Sequence, residues 1–232
     1  MKVLVACEES QVVCKAFRER GHEAYSCDII DCSGGHPEWH IKGDVLKVLN
    51  PIGLPYGGVG IAFHTADGQF HIVDGKWDLI IAHPPCTYMS AAGACRMYPQ
   101  KGVLDEERYK KSQEAKEFFF KIMNADCEKI VIENPRPLKI VGLPEETQRI
   151  QPYEYALDES EYFTKLTYLW EKGVPPLVPL RKEKPQGTKP FVNAGSKTSN
   201  GEYRKLKGCK SSAKERSKTF FGIGRAMASQ WG

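Results

Sequence analysis

Short apolar runs alternate with amphipathic stretches along much of the chain. The run "KVLVAC" at residues 2–7 is rich in β-branched residues, which predicts a buried strand. Apolar residues at helical spacing follow over residues 10–22, where Ser10 is the predicted N-cap and Gly21 the predicted stop. A second helix with an acidic first turn is predicted over residues 105–126. Further strands are predicted over residues 23–29, 40–46, 76–83, 127–135 and 165–173.

This alternation is typical of an α/β protein with a doubly wound, mostly parallel sheet. A Gly-rich segment at residues 51–75 has short alternating runs and predicts a hairpin insertion, either a lid or a decorated edge. We expect a main domain over residues 1–170 and a small segment over 171–215 that is too rich in Pro and Lys to be regular throughout. A turn and a short helix over 216–232 are expected to pack back on the main domain.

The composition of the chain predicts where the protein is found in the cell and whether it binds a metal. The chain has 232 residues, of which 41% are hydrophobic and 27% charged, as in ordinary globular proteins. No apolar run is long enough to span a bilayer, and acids follow the first apolar run directly, so we expect a cytoplasmic protein without a membrane partner. The eight cysteines contain no CxxC pair, so no metal is predicted. His64 and His71, in the insertion, are expected to be surface residues.

Charge is unevenly distributed along the chain. Residues 171–218 contain 13 lysines and arginines against 4 aspartates and glutamates, whereas residues 1–170 carry an acidic excess. A basic segment beside an acidic body is consistent with a polyanionic partner, and DNA is the partner that we expect. A solvated, lysine-rich loop is the alternative interpretation of the same pattern.

Polar or reactive residues follow each of the first five predicted strands: "ACEES", Asp28, Asp44, "HPPC" and "ENP". Because ligands bind beyond the carboxyl ends of parallel strands, these residues define one candidate site. An acid at the end of the second strand commonly binds a ribose hydroxyl pair, although Asp28 could equally face water. Taken alone, Cys86 is a nucleophile, a metal ligand or a small buried residue.

The motifs "PPC" at 84–86 and "ENP" at 133–135 resemble those of the cytosine carbon-5 DNA methyltransferases, in a compact, phage-like form. Each motif follows an apolar strand, in the order of that family. The closing "FFGIGRAMASQW" resembles the last family motif, which folds back beside the first strand. The resemblance implies the Rossmann-like methyltransferase fold with a small basic insertion. It also implies S-adenosylmethionine as cofactor and 5-methylcytosine in DNA as product, as in restriction–modification.

The resemblance also implies roles for individual residues. Cys86 would add to carbon 6 of cytosine, which activates carbon 5 for methylation by covalent catalysis. Glu133 would contact ring nitrogen 3 and the exocyclic amine, and Pro85 and Asn134 complete the catalytic group. Thr87 and Arg149 are candidates for binding the substrate. The residues assigned to S-adenosylmethionine are Ala6, Cys7, Glu8, Ser10, Gln11, Asp28, Ile29, Asp44 and Pro84.

The first motif departs from the family pattern. The family has a glycine-rich loop after the first strand, whereas this chain has "ACEESQ", with two carboxylates and no glycine. Glycine normally permits close approach of backbone to a ligand, so this loop reshapes or removes the cofactor site. Two alternatives therefore stay open: the same chemistry on a pyrimidine nucleotide or RNA, and a catalytically inactive nucleic-acid-binding protein. The target sequence and the oligomeric state are not indicated.

Overall fold

The computed structural model describes residues 1–191 and 217–232. The helices in this part are α1 (Val12–Arg18), α2 (Ala94–Met97), α3 (Glu106–Met123), α4 (Pro152–Tyr155) and α5 (Phe221–Trp231). The strands are β1 (Lys2–Ala6), β2 (Glu23–Asp28), β3 (His40–Lys42), β4 (Ile52–Gly53), β5 (Val59–His64), β6 (Phe70–Asp74), β7 (Leu79–Ala82), β8 (Ile130–Pro135), β9 (Gln148–Ile150), β10 (Phe163–Thr164), β11 (Thr167–Lys172) and β12 (Lys189–Pro190).

A seven-stranded sheet in the order β3-β2-β1-β7-β8-β11-β9 forms the centre of the protein. The first five of these strands are mutually parallel, and β11 runs antiparallel to both of its neighbours. The chain is therefore a mixed α/β protein with a mostly parallel sheet, compatible with a Rossmann-like fold. The predicted strands over residues 2–7, 23–29, 40–46, 76–83, 127–135 and 165–173 are confirmed, with shorter bounds.

Helices cover both faces of the central sheet. Leu4 of β1 belongs to the apolar core that includes Phe119 of α3, whereas Val5 belongs to the core that includes Phe17 of α1 and Met227 of α5. Because side chains alternate across a strand, β1 supplies both cores and is apolar along its whole length. This burial on two faces explains why the strand shows no alternation of polar and apolar residues.

The predicted insertion at residues 51–75 folds as a separate antiparallel sheet of β4, β5 and β6. Phe63 of this sheet packs edge-on against Tyr25 of β2, with ring centroids 4.9 Å apart. Trp77, which follows the insertion, is buried in the same aromatic group and donates from Nε1 to the carbonyl of Val48 at 2.7 Å. The insertion is therefore anchored on the α3 face of the central sheet.

The C-terminal helix α5 packs against α1. Gly224 lies at this contact, where a Cβ would be in ordinary van der Waals contact, at 3.4 Å, with the carbonyl oxygen of Val12. The side chain of Glu161 accepts hydrogen bonds from the backbone N–H groups of Phe221 and Gly222, and so caps the helix. The helix α5 thus lies against α1, and the expected division of the chain into a main domain, a basic segment and a C-terminal motif stays a prediction. Of its two boundaries, the one at 170 falls within β11, whereas the one at 215 lies among residues 192–216, outside the described chain.

The longest described helix, α3, begins where the sequence predicts. Asp105 is its N-cap, and its carboxylate accepts from the N–H of Arg108 at 2.8 Å. One stripe of the helix is buried, including Phe119 and Ile122, while its exposed positions carry lysine and glutamate side chains. Across residues 1–191 and 217–232 no helix has both the length and the apolar character needed to cross a bilayer.

The end of β11 generates a test of the fold. Gly173 has φ 70°, and a Cβ there would lie 2.1 Å from the carbonyl oxygen of Glu128. We expect Gly173→Ala to lower the free energy of unfolding by about 2–5 kcal/mol, because backbone strain and overpacking add. Gly187→Ala is the matched control, since Gly187 has φ 83° in open space and should lose only about 1–2 kcal/mol. Urea unfolding measures both, and equal losses would contradict the steric argument.

Candidate functional site

The register of the parallel strands places four residues side by side at the ends of adjacent strands. Ala6, the last residue of β1, is paired with Cys27 of β2 and with Ala82 of β7, and Ala82 is paired with Ile132 of β8. The four residues that follow these positions are Cys7, Asp28, His83 and Glu133. Since the strands are parallel, all four lie at the carboxyl edge of the sheet.

The loops that carry "HPPC" and "ENP" are joined by hydrogen bonds. The side-chain amide of Asn134 donates to the carbonyl of Pro84 at 3.2 Å, and both residues are buried. Farther along, the N–H of Ala91 donates to the carbonyl of Arg136 at 2.8 Å. The two loops therefore form one unit, and Asn134 acts by holding the first proline in place.

Cys86 begins a turn within this unit. Its carbonyl accepts from the backbone N–H groups of Met89 and Ser90, at 3.1 and 2.9 Å. Its side chain is partly buried, whereas Pro85 before it and Thr87 after it are exposed. The turn therefore places the thiol at the surface of the edge, one residue beyond the prolines.

Glu133 is paired with a histidine at the centre of the edge. Glu133 Oε2 lies 2.6 Å from Nδ1 of His83, and each side chain is only 11% exposed. Burial lowers the pKa of His83, but the hydrogen bond and charge of Glu133, helped by Glu8, raise it above its ordinary value overall. Burial raises the pKa of Glu133, and His83 outweighs this effect, so that the carboxyl pKa is lowered. Both pKa changes therefore favour the ionised form of the pair, with the proton on the imidazole and none on the carboxylate.

Glu8 is buried and supports the start of α1. Its two carboxylate oxygens accept from the backbone N–H groups of Val13 and Cys14, at 2.7 and 3.2 Å. The predicted N-cap Ser10 is therefore wrong, because Gln11 occupies the cap position and the carboxylate of Glu8 satisfies the helix N–H groups instead. Burial raises the pKa of Glu8, opposed by the charge of His83 and by these two hydrogen bonds.

The loop after β1 adopts backbone conformations that usually require glycine. Cys7 has φ 59° and Gln11 has φ 58°, both in the left-handed region. The side chain of Gln11 compensates by bonding the backbone of His36, donating to its carbonyl at 2.8 Å and accepting from its N–H at 3.1 Å. Glu9 is also engaged, since the Ser33 hydroxyl donates to its carboxylate. The loop thus keeps the shape of a glycine-rich turn but fills it with its own side chains.

Three of the residues assigned to the cofactor surround one position beside β1. Burial raises the pKa of the Cys7 thiol to about 12, and the nearby carboxylates of Asp28 and Asp44 add to this effect. Cys7 therefore stays a thiol at neutral pH. Asp28 accepts from the N–H of Ile30 at 3.2 Å, and Asp44 accepts from the N–H of Leu46 at 3.0 Å.

An apolar side chain stands at the same place. Ile29, directly after Asp28, is 74% exposed, although most side chains of its size are buried in a protein core. The strand ends therefore present two carboxylates and an exposed apolar side chain, alongside the partly buried Ser10 and the buried backbone of Ala6 and Pro84. This set can hold a ligand that has both hydroxyl or cationic groups and a flat apolar ring.

The two substrate candidates lie on different sides of the edge. The carbonyl of Thr87 accepts from Nη2 of Arg108 at 2.5 Å, and the same guanidinium lies 5.1 Å from the ring of Tyr88. Arg149 lies on β9, two strands from β8, and is 61% exposed. Its guanidinium pairs with Glu146 and lies 5.2 Å from the ring of Tyr168. Thr87 therefore belongs to the Cys86 turn, whereas Arg149 is held apart from it.

Sequence reasoning assigned no role to His83 or Arg108. The only signal for His83 was its place between a buried strand and the prolines, which a core histidine would share. The pairing of His83 with Glu133 depends on the register between β7 and β8, which the sequence does not display. Arg108 lies on α3, 21 residues from the carbonyl that it bonds.

The search for a metal site assigns no further residue to the candidate site. Within residues 1–191 and 217–232 no group of three or more His, Cys, Asp or Glu side chains could hold a metal ion. His64 is exposed, as expected, whereas His71 is partly buried and bonds Tyr25. An open groove between residues 46–50 and α3 contains none of the predicted site residues.

Comparison with protein-family models and with curated proteins found no match.

The ionised pair predicts a pH-dependent stability. Because the pKa of His83 is raised in the folded protein, its contribution is complete below its ordinary value of 6.5 and is lost as pH rises through the higher folded pKa. The contribution of Glu133 has the opposite sign, present above its ordinary 4.5 and lost as pH falls through its lower folded pKa. We expect His83→Gln to destabilise the protein most between these two ordinary values, and progressively less at higher pH.

Thermal unfolding of both proteins across this range measures the difference. His64→Gln, which removes an exposed histidine of the insertion, controls for the loss of one imidazole. A stability difference between wild type and His83→Gln that does not change from neutral to alkaline pH would contradict the ionised pair.

The buried cap of α1 gives a second test at this edge. Glu8→Ala leaves the N–H groups of Val13 and Cys14 unpaired, and we expect it to lower the free energy of unfolding by about 2 kcal/mol. Glu8→Gln keeps one acceptor oxygen and should lose less. Glu19→Ala, at the exposed end of the same helix, is the control. Chemical denaturation measures these values, and an unchanged Glu8→Ala would exclude the capping role.

Proposed function

We propose that the protein is an S-adenosylmethionine-dependent methyltransferase that forms 5-methylcytosine in DNA. One observation carries the proposal: the "HPPC" and "ENP" loops are joined through Asn134 and Pro84, so that Cys86 and Glu133 belong to one unit at the carboxyl edge. The resemblance of these motifs to the cytosine carbon-5 methyltransferases requires this neighbourhood. The mostly parallel sheet is compatible with the fold that the resemblance implies.

The residues beside β1 fit the proposed cofactor. The Asp28 carboxylate suits a ribose hydroxyl pair, and exposed Ile29 offers an apolar surface to an adenine ring. Asp44 adds a second carboxylate near Cys7, in keeping with a donor that carries a sulfonium charge. When bound, S-adenosylmethionine supplies an electrophilic methyl group.

In the proposed reaction the chain's own residues act on the base. The Cys86 thiolate forms a bond to carbon 6, and the electrons of the carbon 5–carbon 6 double bond move toward nitrogen 3. Glu133 would face that nitrogen and, in its protonated form, donate the proton that neutralises the charge developing there. Cytosine in a duplex must first leave the base stack. After methylation of carbon 5, water or hydroxide takes the carbon 5 proton, the electrons of that bond re-form the carbon 5–carbon 6 double bond, and Cys86 leaves as a thiolate.

Incubation with labelled S-adenosylmethionine and cytosine-containing DNA tests the proposal. We expect label on carbon 5 of cytosine, and a loss of roughly 10³-fold or more in Cys86→Ser because the nucleophile is removed. Cys95→Ser, a change to an exposed cysteine nearby, should keep transfer. Full transfer by Cys86→Ser would refute the nucleophile. Competition by RNA and by free cytosine nucleotides identifies the substrate class.

A second candidate is a nucleic-acid-binding protein that has lost the cofactor. The loop after β1 favours it, because Glu8 occupies the N-terminus of α1 and Gln11 fills the turn with its side chain. Calorimetry with S-adenosylmethionine separates the two candidates. Micromolar binding that Asp28→Ala weakens supports the methyltransferase, whereas DNA binding without cofactor binding supports the second candidate.

A further inference from the structure

Glu133, the residue proposed to bind the base, belongs to a buried row of three titratable side chains. His83 follows β7, Glu133 lies on β8 and Glu8 lies in the loop after β1. Nδ1 of His83 is 2.6 Å from Glu133 Oε2, and the backbone N–H of His83 donates to the carbonyl of Ala6 at 2.9 Å. The imidazole is therefore fixed between two strands, with one nitrogen on the carboxylate.

The second ring nitrogen is the unusual feature of this histidine. Nε2 of His83 is buried and has no hydrogen-bond partner among the described residues. A buried imidazolium with an unpaired N–H is disfavoured, which opposes the attraction of the two carboxylates for the charged form. The charges acting on the ring are those of Glu133, Glu8 and, with the opposite sign, Lys165. Because these effects oppose each other, the proton can pass between Nδ1 of His83 and the Glu133 carboxylate.

We infer that His83 is a positioning residue that supplies the proton Glu133 delivers to nitrogen 3 of the cytosine ring. This inference rests on the proposed function. When Cys86 adds to carbon 6, nitrogen 3 gains an electron pair and becomes basic. The proton leaves Nδ1 of His83, passes through the Glu133 carboxylate and ends on nitrogen 3, so that His83 becomes neutral. When Cys86 is eliminated, the same proton returns, and no external acid is consumed.

The pairing of Glu133 with His83 also determines where Glu133 obtains its proton. An ionised carboxylate on Glu133 cannot donate to nitrogen 3 by itself, so a Glu133 without its histidine would have to take its proton from solvent. The edge is largely buried at this point, with both side chains 11% exposed. An internal proton donor therefore matters most from neutral pH up to the folded pKa of His83, where protons from solvent are scarce and the imidazole still carries its proton.

The first measurement tests the pair without reference to methyl transfer. The imidazole nitrogens of the full-length protein are followed by NMR across pH, in wild type and in Glu133→Gln. We expect His83 to titrate at higher pH in wild type than in the variant, since the carboxylate favours the charged ring. Identical titration of His83 in both proteins would overturn the inference.

The second measurement is the pH profile of methyl transfer. We expect His83→Gln to lower kcat by about 10²-fold, the lower range for general acid catalysis, with KM for DNA little changed. The loss should be largest between the ordinary pKa of His83 and its higher folded pKa, and should shrink at more alkaline pH, where the wild-type imidazole has lost its proton. His83→Gln combined with Glu133→Gln should lose little more than Glu133→Gln alone. His64→Gln, which changes an exposed histidine of the insertion outside the pair, is the control.

The outcomes separate the inference from the function on which it rests. Transfer by wild type together with an unchanged kcat and pH profile in His83→Gln overturns the inference alone. Absence of transfer by wild type overturns the proposed function, and the proton route falls with it, while the NMR titration still decides whether the pair exists. A kcat loss that is constant across pH indicates a merely structural role for His83 and also overturns the inference.

Discussion

The parallel register of β1, β7 and β8 is the constraint on which the candidate site depends. Ala6, Ala82 and Ile132 lie in one row, so the residues after them are neighbours by construction. A shift of β8 by one residue would turn Glu133 to the opposite face of the sheet and replace it with a neighbour. The apolar residues of these strands are buried on both faces, and this double burial holds the register in place.

Much of this fold could be predicted because the strands are buried on two faces and read as continuous apolar runs. The long helix α3 was predictable from its cap at Asp105 and its buried stripe. The three-residue strand β9 was missed, since "QRI" has no apolar pattern and gains its place only by pairing with β11. Short elements of this kind depend on tertiary contacts that the sequence does not display.

The site was predictable to the level of loops but not of side-chain pairs. The ends of the predicted strands pointed to Cys86, Glu133 and Asp28 because carboxyl ends of parallel strands meet. The orientation of Glu8 was not predictable: "ACEES" allows either carboxylate to face solvent, and only the helix that follows draws Glu8 inward. The His83–Glu133 pair joins residues 50 positions apart and depends on register alone.

The charges of the edge place limits on how a nucleic acid could reach it. Under the proposed function, the carboxylates of Asp28 and Asp44 would attract a cationic methyl donor but repel phosphates, whereas the charge of Glu133 is compensated by His83. A DNA strand must therefore gain its binding energy away from this row, because phosphate contacts supply most of the affinity. Arg108 stands over Tyr88 beside the Cys86 turn, with a cation and an aromatic face together. This combination suits a flanking nucleotide, while the lysine-rich stretch after residue 171 is the larger source of positive charge. If the proposed function holds, the electrostatics assign separate tasks: the acids at the strand ends would bind the methyl donor, and the cations of the flanking segments would bind the nucleic acid.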